Sequence, residues 1–539
     1  MGDPTAKNTA KAGPGGEWAR LQFANDRAGR PAIRPSRLKY SARNAPMNQV
    51  STTRDYGHHL AGADQTPAKT IERASPATGR LVARFAEGTA ADAAAAIADA
   101  REAFDNGPWP QMTGMERAAV VRRWADLIEE NLERLARIEV DEVGKPIRQA
   151  RSDLHNVVSL THFAAGLAMQ VHGEAYTNLG SQKAGWIHRE PVGVVGMIIP
   201  WNFPALIFAQ KAPFALAAGC TIVVKPSEFT SGTALELARL GAIAGLPDGA
   251  LSVVTGYGDP VGETIVKSPD VDFVSFTGST AVGRRILANS AETLKRVSLE
   301  LGGKSANIVF ADADLEDAID GSLYGIFYNQ GECCCSATRL LVDEAIADDF
   351  VERLVARARA LKLGDVHADN ADVGAMISDR HFDKVCSYLD KGKAEGATLR
   401  LGGGASEKTD GLFVQPTIFD NVTSDMTIFR EEIFGPVLSI VRFKDKDEAV
   451  RIANDTAYGL ASSLWTKNFD TAHQITPKLR SGSVWINTTI DGAPQMPFGG
   501  YKASGFGREM GQAGFDEFTN IKTVFAHLGK REPYYPQKG

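Results

Sequence analysis

Two short segments of this 539-residue chain carry side chains suited to covalent chemistry on a carbonyl. Glu300-Leu301-Gly302-Gly303-Lys304 offers a carboxylate, and Asn329-Gln330-Gly331-Glu332-Cys333-Cys334-Cys335 offers three thiols. A base close to a cysteine nucleophile is the usual arrangement for such an attack. Residue chemistry alone does not choose among the three cysteines. Zinc is a poor reading of them, because recurring zinc sites use spaced pairs rather than adjacent residues. With five cysteines in all, a disulfide framework is excluded. Cys220 and Cys386 read as small buried hydrophobes. One reactive thiol in a reducing compartment fits best.

The elements that must position these groups follow from length and pattern. A chain this long exceeds what one hydrophobic core serves, so two or more domains are expected. Long helical patterns rich in Ala, Leu, Arg and Glu cover 90–104 and 116–143. Short apolar, β-branched runs recur at 192–199, 221–224, 251–254, 271–276 and 306–310. Helical stretches at 205–218, 232–244 and 280–288 lie between them. Fully apolar strands alternating with helices imply a parallel sheet covered on both faces, with a ligand at the carboxyl ends of the strands. A second αβ series follows Cys334, with helices at 345–362 and 446–454 and strands at 437–443 and 483–486.

The phosphate-binding signal is indirect. Gly256-Tyr257-Gly258-Asp259-Pro260-Val261-Gly262 misses G-x-G-x-x-G by one position and reads as a turn. Phe276-Thr277-Gly278-Ser279-Thr280-Ala281-Val282-Gly283 is better placed, with Gly278 closing a strand and Ser279-Thr280 opening a helix whose N-terminus suits a pyrophosphate. As bare sequence, Lys225-Pro226-Ser227-Glu228 is a polar turn after a strand, and Asn202 in Pro200-Trp201-Asn202-Phe203-Pro204 is a loop residue.

Together these segments resemble the aldehyde dehydrogenase superfamily. Two more join them: Glu431-Glu432-Ile433-Phe434-Gly435-Pro436 resembles the family's E-E-x-F-G-P loop, and Pro497-Phe498-Gly499-Gly500-Tyr501-Lys502-Ala503-Ser504-Gly505 resembles P-F-G-G-x-K-x-S-G. The motifs stand in the family's order between 192 and 511, and with the helices before them the resemblance covers about nine-tenths of the chain. It implies an α/β fold with a doubly wound Rossmann-like cofactor domain, a second α/β catalytic domain and a small β oligomerisation element. The corresponding spans are 51–170 and 192–303 for the cofactor domain, 304–510 for the catalytic domain, and 171–191 with 511–539 for oligomerisation.

By the same resemblance the nucleophile is Cys334, with Asn202 in the oxyanion hole and Glu300 as general base for a hydrolytic, non-acylating reaction. The implied cofactor residues are Ile198, Ile199, Trp201, Lys225, Ser227, Glu228, Gly278, Ser279, Gly283, Leu301, Glu432 and Phe434. Glu228 favours NAD over NADP, because a carboxylate accepts from a ribose hydroxyl and repels a 2'-phosphate; Lys225 leaves NADP open. The implied substrate funnel is Phe203, Ile207, Gln210, Tyr328, Gly492 and Phe498. Gln210 and Gly492 fall where several relatives carry aromatic residues, so an open, less aromatic tunnel is expected, disfavouring betaine aldehyde. Glu332 stands where Gln is expected, and its charge is expected to raise the Cys334 thiol pKa. A coenzyme A-acylating enzyme is the alternative that Glu300 opposes. A catalytically silent member is opposed by the presence of Cys334, Asn202 and Glu300.

Partners follow from composition. A net charge of -6 and pI near 6.0 argue against nucleic acid. No apolar run reaches the roughly 20 residues that span a bilayer. The family resemblance, not composition, implies a homodimer or homotetramer, and a cytoplasmic location is expected. The first fifty residues, with nine Lys or Arg against three Asp or Glu, read as an extension or disordered tail, an upstream start before Met47, or a mitochondrial transit peptide for the matrix.

Overall fold

The computed structural model describes residues 53–406 and 410–535. The expected N-terminal extension lies outside them.

The parallel sheet expected from the apolar runs is eight strands wide. Its parallel centre runs, in spatial order, Arg296–Glu300, Phe273–Thr277, Val194–Ile198, Thr221–Lys225 and Leu251–Val253. Gly505–Phe506 adds an antiparallel strand beyond Arg296–Glu300, and His59–Leu60 with Ala63–Asp64 extends the far side. From Val194–Ile198 the chain builds outward to one side and then crosses back to Phe273–Thr277. The order therefore reverses beside Val194–Ile198, which makes its carboxyl end the switch point where such sheets bind ligands.

Local chemistry explains the elements around this sheet. Pro204–Ala218 is apolar nearly all round and is sunk in the core, with Pro at its first turn, where the missing N–H costs nothing. Ala90–Asp105 begins at a capping box between Thr89 and Asp92. The single helix expected over 116–143 is two, Gly114–Glu130 and Leu132–Val143. They part at Asn131, whose side-chain amide donates to the Leu127 carbonyl at 2.8 Å and so competes with the helical ladder. Ile147–Ala168, which follows, carries weak local signal because Val, Thr, Ser and His dilute its helix formers. Packing against Gly114–Glu130 and Pro204–Ala218 holds it instead.

The second αβ series forms a seven-stranded sheet ordered Thr398–Leu401, Thr417–Asp420, Val437–Phe443, Arg339–Asp343, Ala306–Val309, Ala461–Trp465 and Ser483–Ile486. All neighbours are parallel except the first pair. Arg339 ties its start to the Glu300 segment, since its Nε donates to the Lys304 carbonyl at 2.8 Å. A third sheet is antiparallel: Thr519–His527 pairs along its whole length with Lys183–Pro191, which also pairs with Glu174–Tyr176.

One buried charge cluster underlies the site. Lys145 has no exposed side chain and contacts Asp153 at 2.7 Å and Glu139 at 3.3 Å, while the Tyr328 hydroxyl donates to Asp153. Its ammonium also sits 4.4 Å from the centre of the Phe203 ring. Removing one member of such a cluster strands a buried charge. Asp153→Ala should therefore lower unfolding stability by about 3–5 kcal/mol, read from the urea midpoint; an unchanged midpoint would show that the cluster is not structural.

Candidate active site

The two chemically loaded segments reach one cavity from different sheets. Glu300 ends Arg296–Glu300, and the three cysteines follow a tight turn at the end of the helix Leu315–Phe327. Glu300 and all three cysteines line this cavity.

The turn is unusual in its backbone. Asn329 and Gln330 both lie in the left-handed region, at φ 49° each, a conformation that costs non-glycine residues of order 1 kcal/mol or more. Asn329 is held there by three hydrogen bonds: its N–H donates to Gln149 Oε1 at 2.8 Å, and its Nδ2 donates to the Asn202 and Glu332 carbonyls at 3.0 Å. Asn202 Nδ2 donates to the same Glu332 carbonyl at 3.0 Å. An amide has two N–H groups, so Asn202 keeps one for another acceptor. Gly331, at φ 75°, faces the Gly435 carbonyl, so its lack of a side chain admits the opposing loop rather than making room at the thiol.

Of the three thiols, Cys334 is the part-exposed one. Cys333 and Cys335 are buried, with their sulfurs 3.4 Å apart. The Cys334 thiol is held well above its usual range by hydrogen bonding to the Cys333 and Cys335 sulfurs, and by burial. The expectation that Glu332 does this through its charge is corrected. Its side chain accepts from Gln330 Nε2 at 2.8 Å and Ile377 N at 2.9 Å, and burial pushes it up to about 8, so it is largely uncharged near neutrality. His381 Nε2 lies 3.6 Å from Glu332 Oε1 and contacts the Phe434 carbonyl at 2.7 Å.

Glu300 is 4% exposed and neither of its oxygens has a hydrogen-bond partner, which is costly unless a substrate or water uses them. Burial, then the Glu509 charge, holds it well above the usual carboxylate range, while Lys211 and Arg508 oppose this. Gly499 approaches it closely: a Cβ there would come within 2.7 Å of Glu300 Oε1. Lys211 pairs with Glu509 and donates to Ser275 Oγ at 2.8 Å. Lys211 and Glu509 were not read from sequence. A lone Lys in the apolar helix Pro204–Ala218 was the available signal, and Glu509 offered none.

Phe203, Ile207, Gln210, Tyr328, Gly492 and Phe498 all line the cavity. Tyr324 and Trp485, from positions not singled out, add rings to the wall. Several of the residues implied for the cofactor contact one another. Ile198 and Lys225 end neighbouring parallel strands, and Ile199 N donates to the Lys225 carbonyl at 3.1 Å. Lys225 Nζ lies 3.8 Å from Glu228 Oε2, and Ser227 Oγ is 3.4 Å from the same oxygen. Gly278 N donates to the Glu300 carbonyl, Ser279 caps Thr280–Ser290, and Gly283 in that helix packs on Leu301. Trp201 meets Phe434 edge-on at 5.4 Å, and Gly303 N donates to Glu432 Oε1 at 2.9 Å. Part-exposed Glu228, a helix N-terminus and the Trp201–Phe434 pair fit a dinucleotide at the switch point.

A doubly wound sheet with a switch point, and a cavity lined by a part-exposed thiol and a buried carboxyl without a hydrogen-bond partner, are the features of a dinucleotide-dependent oxidoreductase. The chain belongs to the aldehyde dehydrogenase family, whose model matches residues 63–524; it is an enzyme that oxidises aldehydes. It is 45% identical to aldehyde dehydrogenase family 2 member C4 of Arabidopsis thaliana, over 86% of this chain and 93% of that one. Among solved structures it is similar to an NAD-dependent aldehyde dehydrogenase from Sinorhizobium meliloti, at TM-score 0.88 and 49% identity, covering 89% of this chain and 96% of that one. It is also similar to the NAD+ complex of an aldehyde dehydrogenase from Bacillus cereus, at TM-score 0.86 and 41% identity, covering 88% and 97%.

Glu332 yields a pH prediction. Its folded-state pKa, about 8, is raised from 4.5, so between these values the unfolded chain releases a proton that the folded chain keeps. Stability falls as pH rises across that window. Glu332→Gln removes the titration, and Gln330 can flip to accept from the new amide. The thermal midpoint of the variant relative to wild type should rise from pH 5 to pH about 8; a difference flat with pH would refute this.

Proposed function

We propose that the chain oxidises an aldehyde to its carboxylic acid with NAD, through a thioester on Cys334 that water hydrolyses. The observation that carries this reading is the shared cavity: Cys334 opens into the space where Glu300 lies buried without a hydrogen-bond partner.

In this reading, the Cys334 thiol, which holds its proton tightly, gives that proton up to water as its sulfur adds to the aldehyde carbon. The second N–H of Asn202 and the Cys334 N–H donate to the oxygen that becomes negative, an interaction worth about a hundredfold or more per donor. Its bond to the Glu332 carbonyl orients Asn202 beforehand. NAD, when bound, would supply the hydride acceptor, which is the chemistry the protein lacks. Trp201, Phe434 and Glu432 would hold its nicotinamide end, and Lys225 with Glu228 its adenosine ribose. Glu300 then takes a proton from water as the water adds to the thioester carbonyl. The adduct collapses to the acid, and Cys334 leaves as thiolate. Because Glu300 is raised, the fraction able to act as base still grows with pH above the ordinary carboxylate range.

NAD is favoured over NADP because the Glu228 carboxylate would face a 2'-phosphate. Subunit pairing as a homodimer or homotetramer is supported by the edge strand Thr519–His527, on which Ile521 and Phe525 are more than half exposed. Free cysteines suit the cytoplasm; among the described residues no helix is long and apolar enough to cross a membrane.

Stopped-flow NADH formation separates the steps. Cys334→Ala should abolish both burst and turnover. Glu300→Gln should keep the burst while slowing steady turnover about a hundredfold and removing its rise with pH; turnover unchanged in Glu300→Gln, or requiring coenzyme A, would overturn the hydrolytic reading. For the cofactor, Glu228→Gln should improve kcat/KM for NADP about tenfold or more relative to NAD, whereas an unaltered ratio would remove Glu228 as the discriminator.

A further inference from the structure

The cavity holding Cys334 opens past Tyr324, Ile490 and Asp491, and the same three residues line a second groove on the surface. Tunnel and groove thus share a mouth. Inside, Phe203, Tyr328, Phe498 and Trp485 give the wall an aromatic character, and no Lys, Arg or His among the described residues lines it. Its ionisable acids are Glu300, which burial holds above the usual carboxylate range, Glu509, which pairs with Lys211, and Asp491.

The groove continues this pattern. Glu316, Asp317 and Asp320 line it with one cation, Arg357, which is already paired with Glu316 and Asp320. Asp491 is fixed on the rim rather than free to turn away. Gly492 N donates to its Oδ1 at 2.8 Å, Thr488 Oγ1 donates to its Oδ2 at 3.2 Å, and Trp485 Nε1 donates to its backbone carbonyl at 2.6 Å.

We infer that this mouth sorts aldehydes by the charge on the end remote from the carbonyl: uncharged and cationic tails are admitted, and tails ending in carboxylate or phosphate are rejected. The inference deepens the proposed function and rests on its assignment of the cavity to the aldehyde. An anionic tail would leave water for a wall offering no counter-ion and would meet a fixed carboxylate. A cationic tail meets carboxylates and ring faces, both of which attract it. The body between carbonyl and tail is apolar and aromatic in size, to match the rings.

The test uses three 3-phenylpropanals with para trimethylammonio, tert-butyl or carboxylate groups. Two methylenes separate ring from carbonyl, so the tail charge leaves the reactivity of the aldehyde unaltered. At low ionic strength kcat/KM for the carboxylate should lie about tenfold or more below that for the ammonium. The gap should narrow in about 1 M salt, where charges are screened within about 3 Å. It should narrow or invert in Asp491→Lys. The readout is a ratio within each protein, so a general loss of activity or stability in the variant cancels. Turnover of the tert-butyl compound with equal or better turnover of the carboxylate would overturn the charge filter alone, as would a ratio indifferent to Asp491→Lys. Failure of all three compounds with NAD would overturn the filter together with the proposed function.

Discussion

A single backbone oxygen, the Glu332 carbonyl, holds the site together. It accepts from the amides of Asn202 and Asn329, one from the loop after Val194–Ile198 and one from the turn that carries the cysteines. Through it the nucleophile turn is fastened to the carboxyl end of the cofactor sheet. Asn329 makes its bond from a left-handed backbone. The hydrogen bonds therefore offset local strain, and that strain aims Cys334 into the cavity while its neighbours bury their sulfurs.

Buried acids give the site its second character. Glu332 and Glu300 both lie out of water and both hold protons more tightly than a free carboxylate, for different ends. Glu332 has acceptor bonds at both oxygens and serves the frame, whereas Glu300 has none and remains available. Burial of the same side-chain type yields a structural group or a reactive one according to whether its lone pairs are already used.

Much of this was legible in sequence. The apolar runs at 221–224 and 251–254 marked parallel strands because a strand buried on both faces has no polar positions to spare. The motif residues marked the turn that carries the cysteines and the segments of both sheets that meet near it. What stayed hidden depended on contacts distant in the chain. Asn131 looked like one more helix residue until its amide was seen on the Leu127 carbonyl. The direction of the Glu332 side chain, away from Cys334, depended on Gln330 and Ile377. Trp485 and Tyr324 joined the cavity wall from separate elements, with nothing in their local pattern to announce it.

Aldehyde oxidation creates a negative charge that the reactant lacked. On the proposed reading, the cavity lining holds no cationic side chain among the described residues and its outlet is bordered by Asp491, so no positive charge waits there for the new carboxylate. The same lining that receives an uncharged molecule becomes inhospitable once that molecule has been transformed. On that reading the wall gives the pathway a direction, because the chemistry turns an uncharged guest into a charged one that finds no counter-ion in the lining.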